Sequence, residues 1–263
     1  MSTRKKHGRG ERMNIALITG ASSGIGREFA KQIAKKWRHI DEIWVVARRR
    51  ERLETLKKRC GLPIKIICAD LLLEEGYLLL KKELEEKRPA VRMVVNAAGV
   101  GKDGTIADMD WEVQEEMIQL NCMALSRVTK ICLPYLSVGS RVIQVASAAA
   151  FGPQPGFAVY AATKAYVLSY SRALAEEVRG RGIVVTSVCP GPVDTEFFGK
   201  GRKPVSKLKQ KSMAKPEDVV RKALLDSAKK KRLSVYKTSM KAVHAAWKVM
   251  PTTWMLLLMK KFL

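Results

Sequence analysis

Ile15-Ala16-Leu17-Ile18-Thr19-Gly20-Ala21-Ser22-Ser23-Gly24-Ile25-Gly26 decides the fold. Its first five residues have the length and apolarity of a buried strand, and its glycines lead directly into Arg27–Lys36, whose apolar spacing is helical. Glycines at 20, 24 and 26 permit a tight turn and let anionic oxygens approach backbone N–H groups at the helix N-terminus. The same rhythm continues outward. Glu42–Ala47, Ile64–Cys68, Val91–Asn96, Arg141–Ser147 and Val184–Cys189 read as strands. Glu51–Arg59, Gly76–Glu86, a long Trp111–Leu136 and Tyr160–Arg179 read as helices between them. Strands apolar on both faces, alternating with helices, predict an α/β fold with a doubly wound parallel sheet. Right-handed crossovers then put the site beyond the strand C-termini.

The 263 residues suit one such domain with a substantial core. Five cysteines without a C-x-x-C pair, mostly in apolar runs, fit a reducing compartment and buried thiols. With no apolar run long enough to span a bilayer and no secretory signal, the expected location is cytoplasmic. Charge is unevenly placed: of a net +24, residues 200–263 hold 18 Lys and Arg against three acids, a net +15. Residues 1–12 read as a disordered basic leader, 13–238 as the body, 199–215 as a mobile loop with seven Lys or Arg and no acid, and 239–263 as an amphipathic helical tail. Such a tail suits an acidic partner, among them anionic lipid, coenzyme A, an acyl carrier or nucleic acid, or else a solvated lysine-rich surface.

Four further motifs follow the glycine loop in order. They are Asn96-Ala97-Ala98-Gly99 after a strand, Asn121, Ser147 thirteen residues before Tyr160-Ala-Ala-Thr-Lys164, and Pro190-Gly191-Pro192-Val193-Asp194-Thr195. Together they resemble the short-chain dehydrogenase/reductase family over roughly residues 13–198, and the Gly20-x-x-x-Gly24-x-Gly26 spacing matches that family rather than G-x-G-x-x-G. The resemblance implies a Rossmann-like fold, a nicotinamide dinucleotide, and catalysis by Asn121, Ser147, Tyr160 and Lys164. Lys164 lies one turn beyond Tyr160 on the same helix face, and its ammonium is expected to favour the phenolate, whose ordinary pKa near 10 is too high for acid–base work. Ser147 would hold the substrate oxygen, Lys164 also the nicotinamide ribose, and Asn121 a water in the proton relay.

Further cofactor contacts are implied for Ser22, Ser23 and Ile25 in the loop, Asp70 and Leu71 beside the adenine, residues 96–99 at the ribose, and Pro190, Gly191, Val193 and Thr195 against the nicotinamide. The second strand ends in Arg48-Arg49-Arg50 with no acid before Glu51. Arginine suits a 2′-phosphate where a carboxylate would bind a free ribose, so Arg48 and Arg49 point to NADP(H). No metal constellation is present in the sequence, and His39 and His244 read as surface residues.

The expected activity is hydride exchange between NADP(H) and a carbonyl or hydroxyl, on an apolar or lipid-like molecule. A 3-oxoacyl-thioester reductase is the chemical alternative, and an NADP(H)-sensing binding protein the non-catalytic one. The tail's Met240, Val243, Trp247 and Met250 form one helical face, and Trp254–Met259 is apolar nearly all round. Three burials compete for it: a second subunit in a homo-oligomer (dimer or tetramer), an anionic membrane interface, or a cap on the substrate pocket. Nucleic acid is disfavoured, because the tail carries no recognisable module for it.

Overall fold

In the computed structural model, residues 12–198 and 213–260 are described. Most of the expected leader and of the 199–215 loop lies outside them. The seven strands are β1 (Asn14–Thr19), β2 (Glu42–Ala47), β3 (Ile64–Cys68), β4 (Ala90–Asn96), β5 (Leu136–Val145), β6 (Val184–Val188) and the two-residue β7 (Leu233–Ser234). They form one parallel sheet in the order β3-β2-β1-β4-β5-β6-β7. The order reverses between β1 and β4, which opens a crevice at their C-terminal ends; Thr19 stands level with Val46 on one side and Asn96 on the other.

Both faces of the sheet are covered, which is why the strands lack polar alternation. Ala16 and Ile18 pack with Ile43 and Val45 under α1 (Gly24–Lys36), α2 (Arg50–Arg59) and, further along the chain, a helix at Pro216–Ala228. Ile15 and Leu17 point the other way, toward α3 (Glu74–Lys87) and the helices that follow β4 and β5. Trp44, wholly buried, is among the largest side chains in that layer.

The expected long helix Trp111–Leu136 is helical without a break to Tyr135 but changes type along its length. It is α4 (Trp111–Ile118), a π-helical stretch Gln119–Ala124, α5 (Leu125–Cys132) and a short 3-10 turn, after which Leu136 already starts β5. A π stretch is a local widening that recurs at functional sites, and here it carries Asn121. α6 spans Ala158–Glu177, α7 Pro216–Ala228, α8 Thr238–Val249 and α9 Thr252–Lys260. Proline and two acids in the first turn of α7 match the helix dipole.

The cysteines are all free, but Cys68 is exposed and Cys60 half-buried, so only Cys122, Cys132 and Cys189 behave as the buried thiols expected. Among the described residues, no helix is long and apolar enough to cross a membrane.

Candidate active site

Close packing at the end of β1 explains the glycines. Gly20 has a φ of +68°, and a Cβ there would stand 2.7 Å from Ala97 O and Ala98 N. A Cβ on Gly26 would stand 2.4 Å from Gly20 O. The β1 loop therefore presses directly on the β4 loop, where Thr19 Oγ1 accepts hydrogen bonds from Ala97 N and Ala98 N, both at 3.1 Å. The N-terminus of α1 emerges beside them with no side-chain cap and no acid in its first turn, which suits an anion.

Arg49 crosses to this loop. Its guanidinium donates to Ser22 Oγ at 3.0 and 3.2 Å and to Ser23 Oγ at 2.8 Å. Both hydroxyls act there as acceptors, so each keeps its own proton to donate. Glu196 lies 3.5 Å from Arg49 and is also bonded to Arg52. The Arg52 hydrogen bond and the charges of Arg52, Arg49 and Arg27 hold its carboxyl below the usual range. Arg48, singled out from the sequence, instead faces Asp70 at 3.6 Å. Asp70 in turn accepts from Leu72 N at 3.0 Å. The Leu71 side chain, expected beside the adenine, is buried in the core. Asn96 is a brace inside the sheet, donating to Thr129 Oγ1 at 3.0 Å and Gln144 Oε1 at 2.9 Å.

Ser147, Tyr160, Lys164 and Asn121 converge past the ends of β4 and β5. The Ser147 side chain lies near the Tyr160 hydroxyl and acts to lower its pKa, and Ser147 Oγ accepts from Ala149 N at 3.1 Å. Lys164, 4% exposed, donates to Val145 O at 3.2 Å. Asn121 clamps the loop after β4: Nδ2 donates to Val100 O at 2.8 Å and to Thr163 Oγ1 at 3.0 Å, while Oδ1 accepts from Val100 N at 2.9 Å. Gly99 makes room for this, since a Cβ there would meet Asn121 Oδ1 at 2.8 Å and Lys164 Nζ at 3.3 Å.

The electrostatics differ from the sequence expectation. Burial pushes the Tyr160 hydroxyl up to about 12, and the nearby Ser147 side chain offsets only part of this. Burial also brings Lys164 down to about 8. Lys164 Nζ stands 5.6 Å from the centre of the Tyr160 ring, and desolvation of both groups outweighs the expected stabilisation of a phenolate. The wall responsible is aromatic: Phe157 stacks on Tyr160 at 4.3 Å and Phe197 lies at 5.7 Å, with Val100, Met109 and Met117 nearby.

The turn after β6 is built as a lip. Val193 is buried and bridges to Ala214, Pro190 O accepts from Ala148 N at 2.8 Å, and Thr195 packs against Gly24. A cavity of about 390 Å³ opens beside it, with Gly24, Arg27, Thr195 and Glu196 in its lining. The tail folds back onto the same rim. In α8, Met240 covers Gly191 and Trp247 covers Gly152, where a Cβ would be 2.8 and 2.4 Å from them respectively. His244, expected at the surface, is half-buried with its ring 4.4 Å from Phe151. A cavity of about 240 Å³ remains between Gly191, Ala214, Tyr236 and Met240.

Sequence reading missed Glu196, Phe197, Phe157 and Thr163 as parts of this site. Thr163 and Phe157 had a signal, each one turn from Tyr160, the first in the same helix and the second capping it; Glu196 and Phe197 meet the site only through tertiary packing.

A family model described as short chain dehydrogenase matches residues 14–205. An uncharacterized oxidoreductase of Staphylococcus epidermidis is 33% identical over 196 residues, covering 72% of this chain and 84% of its own. A very-long-chain 3-oxoacyl-CoA reductase of Anas platyrhynchos is 30% identical over 223 residues, covering 80% of this chain and 67% of its own. Among solved structures, a short-chain dehydrogenase from Sphingobium yanoikuyae in complex with NADPH superposes with a TM-score of 0.78 at 28% identity, over 89% of this chain and 93% of that one.

Proposed function

Because this chain belongs to the short-chain dehydrogenase family, we propose that it is an NADP(H)-dependent oxidoreductase acting on an apolar carbonyl or hydroxyl. The observation that carries the reading is the placing of Ser147 beside Tyr160 in an aromatic wall, with Lys164 buried one turn away. The dinucleotide, when bound, supplies or accepts the hydride.

The residues present fit that cofactor. Gly20 and Gly26 let the β1 loop turn tightly against backbone where a side chain would clash, and bring its N–H groups to a helix N-terminus with no side-chain cap, which suits a pyrophosphate. Ser22, Ser23 and Arg49 would hold the 2′-phosphate, with Arg48 and Asp70 at the adenine edge. Ala97, Ala98 and Gly99 would line the ribose side, and the 190–195 turn the nicotinamide side. Asp70 and Glu196 are each committed to an arginine at this edge, which favours phosphate over a free ribose hydroxyl. NADPH in the similar Sphingobium yanoikuyae structure supports the same choice.

Tyr160 would give a proton to the substrate oxygen, or take one from it. Ser147 would orient that oxygen. Lys164, titrating near 8, would refill the tyrosine through its ammonium and stabilise charge as it develops. Asn121 acts through position: its clamp on Val100 and Thr163 fixes the loop against which Lys164 and Tyr160 pack.

A 3-oxoacyl thioester is the specific alternative within this chemistry. The 30% identity to a very-long-chain 3-oxoacyl-CoA reductase favours it. So does the basic 199–215 stretch, suited to a coenzyme A phosphate or carrier.

The test is oxidation of NADPH and NADH against apolar ketones and acetoacetyl thioesters, beside Tyr160→Phe. NADPH turnover that disappears in the variant, with NADPH binding retained, is the expected result. Binding of NADPH without turnover of any substrate would favour a sensor, and a strong NADH preference would overturn the reading of Arg49.

A further inference from the structure

The body accounts for only part of the tail. α8 is anchored by Met240, His244 and Trp247 on the rim beside Ser147 and Gly191. Past Pro251, α9 runs on with Trp254 64% and Leu257 59% exposed, and Val249 at the end of α8 is 84% exposed. Single exposed apolar residues are ordinary on any surface. Three within nine residues, on an element held to the fold by its neighbour, are a face that lacks a partner among the described residues.

Charge identifies the partner. No acid follows Asp226 in the sequence, while Lys241, Lys248, Lys260 and Lys261 flank the apolar residues, inside a segment of net +15. Lys241 and Lys248 are exposed. A second copy of this chain would bring a like-charged tail against this one, whereas an anionic headgroup layer neutralises it. α9 has nine residues, far short of a span, so it would lie in the plane of the interface with Trp254 at headgroup depth.

We infer that α9 together with Val249 docks the protein on an anionic lipid surface. Because α8 joins this face to the rim of the site, docking holds that rim near the bilayer. That consequence rests on the function proposed above; the docking itself does not.

Flotation of the full chain with vesicles of phosphatidylcholine, alone or mixed with phosphatidylglycerol, tests this without any enzymatic readout. The chain is expected to float with the anionic vesicles only. Its bound fraction should fall at least about tenfold as salt shortens the screening length from ~10 to ~3 Å. Trp254→Glu with Leu257→Glu should stay at the bottom of the gradient while melting at an unchanged temperature. A second pair, Lys241→Glu with Lys248→Glu, keeps the apolar face and should lose most of the binding. Absence of flotation by the intact chain would overturn the inference, as would flotation indifferent to both pairs. Sedimentation of the intact chain as an oligomer that Trp254→Glu with Leu257→Glu dissociates would also overturn it, by assigning the face to a second copy.

Discussion

Replacing Lys164 with methionine should stabilise this protein while abolishing its chemistry, and the gain should depend on pH. Burial lowers Lys164 from 10.5 to about 8. The unfolded chain therefore binds more protons than the folded one between those values, so this group's contribution to stability rises with pH across that window. Below it the native state carries the full cost of a buried ammonium, about 3 kcal/mol at pH 7 and about 2 kcal/mol at pH 9 by the 1.36 kcal/mol per unit rule. Methionine fills similar volume without charge, but gives up the hydrogen bond to Val145 O, worth about 1 kcal/mol. The net gain is about 2 kcal/mol at pH 7, or ~4–8 °C in Tm for a chain of this size, and about half that at pH 9. Wild type alone cannot isolate this effect. Burial raises Cys122 to about 11 and Cys189 to about 12, so stability is lost as pH climbs through the ordinary thiol range. The measurement is thermal melting of both proteins at the two pH values, and the quantity is their difference. Equal or lower stability for Lys164→Met at pH 7, or a difference that does not shrink with pH, would refute the account of Lys164 as a costly buried cation.

Gly101→Ala would place a Cβ 2.8 Å from the Tyr160 ring and 2.9 Å from that of Phe197. kcat/KM should fall by ~10-fold or more as the tyrosine is displaced, with about 1–3 kcal/mol lost in denaturant unfolding; unchanged kinetics would show that Phe197 alone yields. Glu196→Gln releases Arg49 and Arg52 from a half-exposed carboxylate, which should move stability by no more than ~1 kcal/mol. The KM for NADPH should fall a few-fold with that for NADH unchanged, and parallel shifts in both would remove Arg49 from the phosphate site.

The sequence by itself determined the sheet and the order of the motifs, because both rest on local chemistry. Ile15–Thr19, Glu42–Ala47 and Ile64–Cys68 are apolar on both faces, and only a doubly covered parallel sheet buries such strands. The glycines at 20, 24 and 26 were legible because a side chain at 20 or 26 would strike backbone. Tyr160 and Lys164 share a face through helix period alone. Residues distant in the chain escaped that reading. The π-helical widening at Asn121 follows from how the 119–124 stretch packs on α6 and the Val100 loop, not from its own propensity. Arg48 and Arg49 are adjacent and chemically identical, and only the approach of Ser22 and Ser23 on one side and Asp70 on the other separates their partners. The spacing of Tyr160 and Lys164 promised an ammonium that favours a phenolate. The tertiary structure reversed the balance, because desolvation depends on how much protein surrounds each group, and Phe197 comes to Tyr160 from a segment the helix period does not connect, adding to Phe157 at the cap of the same helix. The tail's amphipathic pattern likewise fitted three burials. Packing of Met240 and Trp247 on Gly191 and Gly152 assigned α8 to the rim of the site, since those two glycines are where a ring and a thioether can reach backbone.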